Sequence, residues 1–92
     1  MLEKVKKALR IQNNAFNDEV EDLIASARED LIQSGVSPSK VIDEEDPLIS
    51  RAIVTFAKAE FGMDNPDANR FRESYESQAN KLSQASDYRE LV

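Results

Sequence analysis

The sequence predicts an all-α fold: a small bundle of four helices with a short C-terminal tail. Three observations carry this reading. Apolar residues recur at intervals of three and four along most of the chain. Two proline pairs, Asp46-Pro47 and Asn65-Pro66, set a capping residue directly before proline ahead of an apolar stripe, a pairing that opens helices. Both glycines, Gly35 and Gly62, stand just past an apolar stripe, where a helix ends most easily. The expected helices span about 2–10, 18–34, 47–61 and 66–85, with 86–92 as the tail. No repeat or low-complexity tract divides the 92 residues, so one domain over 1–92 is expected.

In the first segment Leu2, Val5 and Leu9 share a face, and Lys4, Lys6, Lys7 and Arg10 outweigh Glu3. So short a helix is marginal in water and must dock. After Gln12-Asn13-Asn14, Asn17 or Asp18 is the expected N-cap of the second helix. Asp18, Glu19, Glu21 and Asp22 complement the positive end of its dipole. Val20, Leu23, Ile24, Ala27 and Leu31 form its stripe, and Gly35 with Val36 should close it in a Schellman-type end. The linker from Ser37 to Asp46 holds Val41 and Ile42, too few for a strand but suited to plug the core's edge.

Asp46 and Pro47 open the third helix, whose stripe is Leu48, Ile49, Ala52, Ile53, Phe56, Ala57 and Phe61. Val54 and Ala59 add apolar surface beside that stripe. A helix apolar over more than one face is buried on more than one side, which places this one at the centre. The fourth helix sets Ala68, Phe71, Tyr75, Gln78 or Ala79, Leu82 and Ala85 on a near-heptad seam. The expected core is therefore Leu23, Ile24, Leu31, Leu48, Ile49, Ile53, Phe56, Phe71, Tyr75 and Leu82.

Composition narrows the function. The chain has no Cys and no His, which removes disulfides, thiol nucleophiles, imidazole bases and the usual zinc sites. Two glycines cannot build a glycine-rich phosphate loop. A chain this short buries only roughly 60% of the surface it exposes when unfolded, and with 7% aromatics and no Trp it has few large anchors. No apolar run is long enough to span a membrane and no signal-peptide segment follows the N-terminal lysines. The expectation is a non-enzymatic protein without cofactor or membrane contact, made in the cytosol.

The charged constellations are explained without chemistry. Asp43-Glu44-Glu45-Asp46 lacks the spaced ligands and central Gly of a calcium loop, and acids before a helix start need no metal. Carboxylate pairs such as Asp18/Asp22 and Glu73/Glu76 fall on exposed faces of a domain with little room for a catalytic pocket. Arg72 is placed to pair with Glu76. With 12 basic and 18 acidic residues the net charge is −6, the wrong sign for a nucleic-acid reader. It suits a surface past which DNA slides without sticking. Phe16, in a polar loop, and Tyr88, Leu91 and Val92, in the tail, are the candidate protein–protein contacts. Phe16 also fits a local hydrophobic staple.

Four blocks carry a family resemblance: VKKALRI (Val5 to Ile11), DEVEDLIASAREDL (Asp18 to Leu31), DPLISRAIVTFAKAEFG (Asp46 to Gly62) and RFRESYESQANKL (Arg70 to Leu82). With their spacers they cover nearly the whole chain, which resembles the small head–tail connector (adaptor) proteins of long-tailed bacteriophages and prophages. The third block, opened by DPLI and closed by an aromatic and Gly, is the most specific. The linker and tail are shorter than in many members, and such segments are where these adaptors grip neighbours. The resemblance implies an all-helical structural subunit of the virion neck, present in the host cytoplasm before assembly. It would form a homo-oligomeric ring below the portal protein, extend the DNA channel without binding DNA specifically, and dock the stopper or head-completion protein. It implies no reaction and no cofactor. The competing expectations are a small intracellular helical regulator or partner-binding phage protein, which neighbouring genes would distinguish, and, more remotely, a helix-turn-helix DNA binder.

Overall fold

The most apolar helix lies in the middle of the bundle. The computed structural model describes residues 1–62 and 64–89. Its helices are α1 (Leu2–Leu9), α2 (Asn17–Gln33), α3 (Pro38–Val41), α4 (Pro47–Glu60) and α5 (Ala68–Gln84). The all-α architecture is as expected, with one addition: α3 is a single helical turn within the linker, started by Pro38 at its first position. Helix α4 packs on α1, α2 and α5. Phe16 at the start of α2 meets Phe61 just past the end of α4, and Arg72 near the start of α5 meets Glu60 at that same end. Both neighbours therefore run antiparallel to α4, and α2 and α5 run parallel to each other.

Val5 of α1, Val20, Ile24, Ala27 and Leu31 of α2, and Tyr75, Ala79 and Leu82 of α5 close around Ile49, Ala52, Ile53 and Ala57 of α4. Val36 and Val41 seal the linker side. Burying side chains such as Leu31, Ile49 and Ile53 contributes about 1.5–3 kcal/mol each. The two polar residues buried in α4 are satisfied: Thr55 Oγ1 donates to the Arg51 carbonyl at 2.9 Å and Ser50 Oγ to the Glu44 carbonyl at 3.2 Å.

Of the expected core, Ile24, Leu31, Ile49, Ile53, Tyr75 and Leu82 are buried. Leu23 and Phe56 sit at its rim, partly exposed. Phe71 is also only half-buried, with Lys58 and Arg70 over its ring. Leu48 is not core: it is 50% exposed, on a groove whose α5 wall is Ser74, Ser77, Gln78 and Lys81 with Leu82 already turned into the core. Small residues take the central places instead. Ala27, Ala52, Ala57 and Ala79 are buried, and short side chains at a contact let helix axes approach closely. Ile42 is likewise no plug, at 66% exposure; Val41 alone fills that role.

The helix ends depart from expectation where a side chain finds a better partner. Helix α2 starts at Asn17 with Phe16 at the cap position and no side-chain cap. Asn65 does not start α5 but closes α4: its Nδ2 donates to the Lys58 carbonyl at 2.7 Å, while its Oδ1 accepts the Asp67 amide at 3.0 Å. Arg72 reaches Glu60 at 3.1 Å rather than Glu76. The C-terminus of α2 is the expected Schellman motif. Gly35 has φ 110°, its amide donates to the Ile32 carbonyl, and the Val36 amide donates to the Leu31 carbonyl, each at 3.0 Å.

Helix α1 ends in the same motif without a glycine. Arg10 takes φ 63° and ψ 38°, and the Ile11 amide donates to the Lys6 carbonyl at 2.9 Å. The left-handed conformation costs a residue with a Cβ roughly 1–2 kcal/mol. Arg10→Gly should therefore raise stability by about 0.5–1 kcal/mol, net of glycine's greater freedom in the unfolded chain. A thermal melt shifted up by a few degrees checks this; an unchanged or lower midpoint would show that the Arg10 side chain makes a contact outweighing the strain.

The described part of the tail, to Arg89, does not trail. Tyr88 packs against the core, its carbonyl accepts the Ser37 amide at 2.7 Å, and Arg89 forms an isolated antiparallel bridge with Val36.

Candidate protein-interaction surfaces

Three large apolar side chains stand exposed among the described residues: Phe16, Ile42 and Leu48. Scattered apolar residues are ordinary on a surface, so their settings decide what they mean. Phe16 rests edge-to-face on Phe61, ring centroids 5.6 Å apart, and leaves 45% of its surface in solvent. It is thus both a local clamp between α2 and α4 and an outward aromatic knob.

Tyr88 is partly buried, packed against the core. Its hydroxyl donates to Asp46 Oδ1 at 3.2 Å, and Lys40 Nζ lies 5.4 Å from its ring centre. Desolvation, then the Asp46 carboxylate, raise its hydroxyl above the ordinary tyrosine value, so it stays a donor at neutral pH. The same Asp46 oxygen accepts the Leu48 and Ile49 amides at 2.9 and 3.2 Å. Partial burial pushes this carboxyl up, but the Ile49 amide, the Tyr88 hydroxyl, the Leu48 amide and Lys40 together hold it below its ordinary value. The acidic run is therefore structural: Asp46 caps α4, and Glu44 pairs with the Met1 ammonium, which lowers its own pKa. Leu91 and Val92 lie outside the described residues.

Two grooves flank α5. One, of about 570 Å³, opens between α2, α4 and α5. At its wall the Tyr75 hydroxyl donates to Asp30 Oδ2 at 2.6 Å. Burial and the Asp30 carboxylate drive the Tyr75 pKa far above the ordinary tyrosine value, so this pair ties α5 to α2 and does not supply a base. The other groove, about 490 Å³, lies on the opposite flank of α5, with Leu48 and Arg51 of α4 on one side and Ser74, Ser77 and Lys81 of α5 on the other. Arg51 and Lys81 make no ion pair among the described residues, and Gln78, also in the groove, buries its Oε1 without a partner. Sequence reasoning passed over this face because a polar helix flank reads as solvated. The signal present was Arg70, Ser74, Ser77 and Lys81 at i, i+4, i+7 and i+11, one stripe of basic ends and small middles.

Shape, charge and contact are what these surfaces offer. Among the described residues no cluster of acids could hold a metal ion, and no helix is long and apolar enough to cross a membrane. The molecule is a small all-helical bundle with exposed apolar side chains at separated places. Its sequence matches the family model for the phage connector protein over residues 1–89. The chain belongs to that family, whose members are structural parts of phage particles that assemble with other head and tail proteins. No curated protein and no solved structure matches it significantly.

Proposed function

We propose that this protein is a ring-forming adaptor of the virion neck. Copies of the chain assemble below the portal, extend the DNA channel, and present a docking surface to the stopper or head-completion protein. The subunit catalyses nothing and carries no cofactor. The observation behind the reading is the family match across almost the whole chain. The surface agrees with it: exposed apolar side chains at separated places suit a subunit with more than one neighbour. The net charge of −6, repeated around a channel, gives DNA a field that discourages adhesion. Assembly is head-to-tail, each copy using two different surfaces, so that rotation closes a ring.

Electron microscopy of the purified chain mixed with portal-bearing heads tests this. The expected result is a ring of added density on the outer end of the portal. Heads that remain bare at saturating concentration would overturn the reading.

A further inference from the structure

The contact surfaces between copies can be read from the charge pattern of two helices. On α2, Asp18, Asp22, Ala25 and Glu29 fall at i, i+4, i+7 and i+11, all exposed, on the side away from buried Val20, Ile24, Ala27 and Leu31. On α5, Arg70, Ser74, Ser77 and Lys81 fall at the same intervals, all exposed, on the flank that forms the second groove. One stripe is acidic at its ends and the other basic. Each spans about 16 Å at ~1.5 Å per residue. Each has a small residue in its middle, which lets two backbones approach closely.

The placement favours contact between copies over contact within one. Helix α2 packs toward the first groove, on the Asp30–Tyr75 side, whereas the basic stripe faces the other flank of α5. The two stripes therefore cannot meet in a single chain. Because α2 and α5 run parallel, rotation about an axis along the helices sets α2 of one copy beside α5 of the next and inverts neither. Arg51 and half-exposed Leu48 extend the same basic face onto α4. Existing partners compete weakly: Arg70 has an exposed pair with Asp67 at 3.5 Å, and Glu29 accepts from Gln33 at 3.3 Å.

We infer that the acidic stripe of α2 in one copy seats against the α4–α5 groove of a second copy. Asp18 faces the Arg70 end, Glu29 faces the Lys81 end, and Ala25 lies against Ser77. This interface rests on the ring reading above and specifies which surfaces make it. Opposite charges set the register, and the incoming helix covers Leu48. The contact is heterologous, so one copy keeps its basic stripe free and the other its acidic stripe, each open to a further neighbour.

Because the chain has no cysteine, the contact can be tested by cross-linking. Ala25→Cys and Ser77→Cys are placed together in one chain, which is oxidised in air both at high concentration and on portal-bearing heads. A ladder of covalent oligomers is expected. Mixing the two single-cysteine chains should give a mixed dimer in preference to either homodimer. Arg70→Glu with Lys81→Glu in the double-cysteine chain should cut the ladder about tenfold or more, and Asp18→Lys with Glu29→Lys should restore it. All these sites are exposed, and an unchanged melt confirms that each variant folds. Homodimers as the main product, no linkage in either setting, or a ladder indifferent to charge reversal would each overturn the inference. A ring on the portal without a ladder would remove this interface and leave the connector role. A ladder without a portal-bound ring would support the interface and remove the portal docking.

Discussion

Ile53→Ala is expected to lower stability by about 2–5 kcal/mol, among the largest losses any single substitution in this chain should produce. Ile53 lies on the central helix, 1% exposed, and its removal leaves a cavity that α1, α2 and α5 cannot all collapse to fill. At about 4–8 °C per kcal/mol for a domain of this size, the melting midpoint should fall by about 8 °C or more. Phe56→Ala makes the informative contrast. The ring stacks edge-to-face on Tyr75 at 5.1 Å but lines a groove, so part of its surface is already wet. Its loss should cost about 1–3 kcal/mol despite the larger side chain. If Phe56→Ala proved the more damaging in denaturant or thermal unfolding, the centre of the core would lie between α4 and α5 rather than along α4.

Asp46→Ala should be the most destabilising polar substitution. One carboxylate oxygen accepts from the Leu48 and Ile49 amides and from the Tyr88 hydroxyl. The alanine loses a helix cap, at about 0.5–2 kcal/mol, and also releases the arm that Tyr88 ties down, at about 0.5–1.5 kcal/mol. Asp46→Asn keeps an acceptor at the cap and should lose less. The pH dependence has a definite sign. The folded-state pKa is lowered, so this contribution is fully present above the ordinary aspartate pKa near ~3.9 and is lost as pH falls through the lower folded value. Unfolding measured from pH 7 downward should show the wild-type advantage over Asp46→Ala shrinking below about pH 4. An advantage that stayed constant to pH 2 would show that the carboxylate's charge contributes nothing.

Much of the architecture was legible because it rests on local rules. Apolar spacing marked α1, α2, α4 and α5; Asp46-Pro47 opens α4 as its chemistry requires; Gly35 closes α2 by the only backbone conformation that frees both amides for the Schellman bonds. The misreadings share one cause. Leu48, Phe71 and Ile42 belong to apolar patterns, but burial is set by what the neighbouring element supplies at that height. For Leu48 the neighbour supplies two serines, a glutamine and a lysine, while its one leucine, Leu82, is buried in the core. Asn65 and Arg72 likewise found partners on α4, at sequence separations that no local rule scans.

The candidate surfaces were less legible still. Phe16 was visible as an aromatic in a polar loop, but its stacking on Phe61 joins residues 45 positions apart. Tyr88 reads in the sequence as a protein–protein contact, and only the fold sets it beside Asp46. The basic flank of α5 was in plain view as a periodicity, yet its meaning depends on which flank α2 occupies.

By itself the sequence determined that the chain is all-helical, that α4 is central, that thiol and imidazole chemistry are absent, and that the family is a phage connector. The first three follow from composition, periodicity and end signals, which act within a few residues; the family rests on the resemblance of four sequence blocks and on the family match over residues 1–89. Only the tertiary structure decided which apolar residues are buried, that the tail is tied to the start of α4, and that an acidic stripe and a basic groove lie on different sides of one subunit. Those outcomes depend on helix directions and on the depth at which each helix packs, and both are set by contacts between residues far apart in the chain.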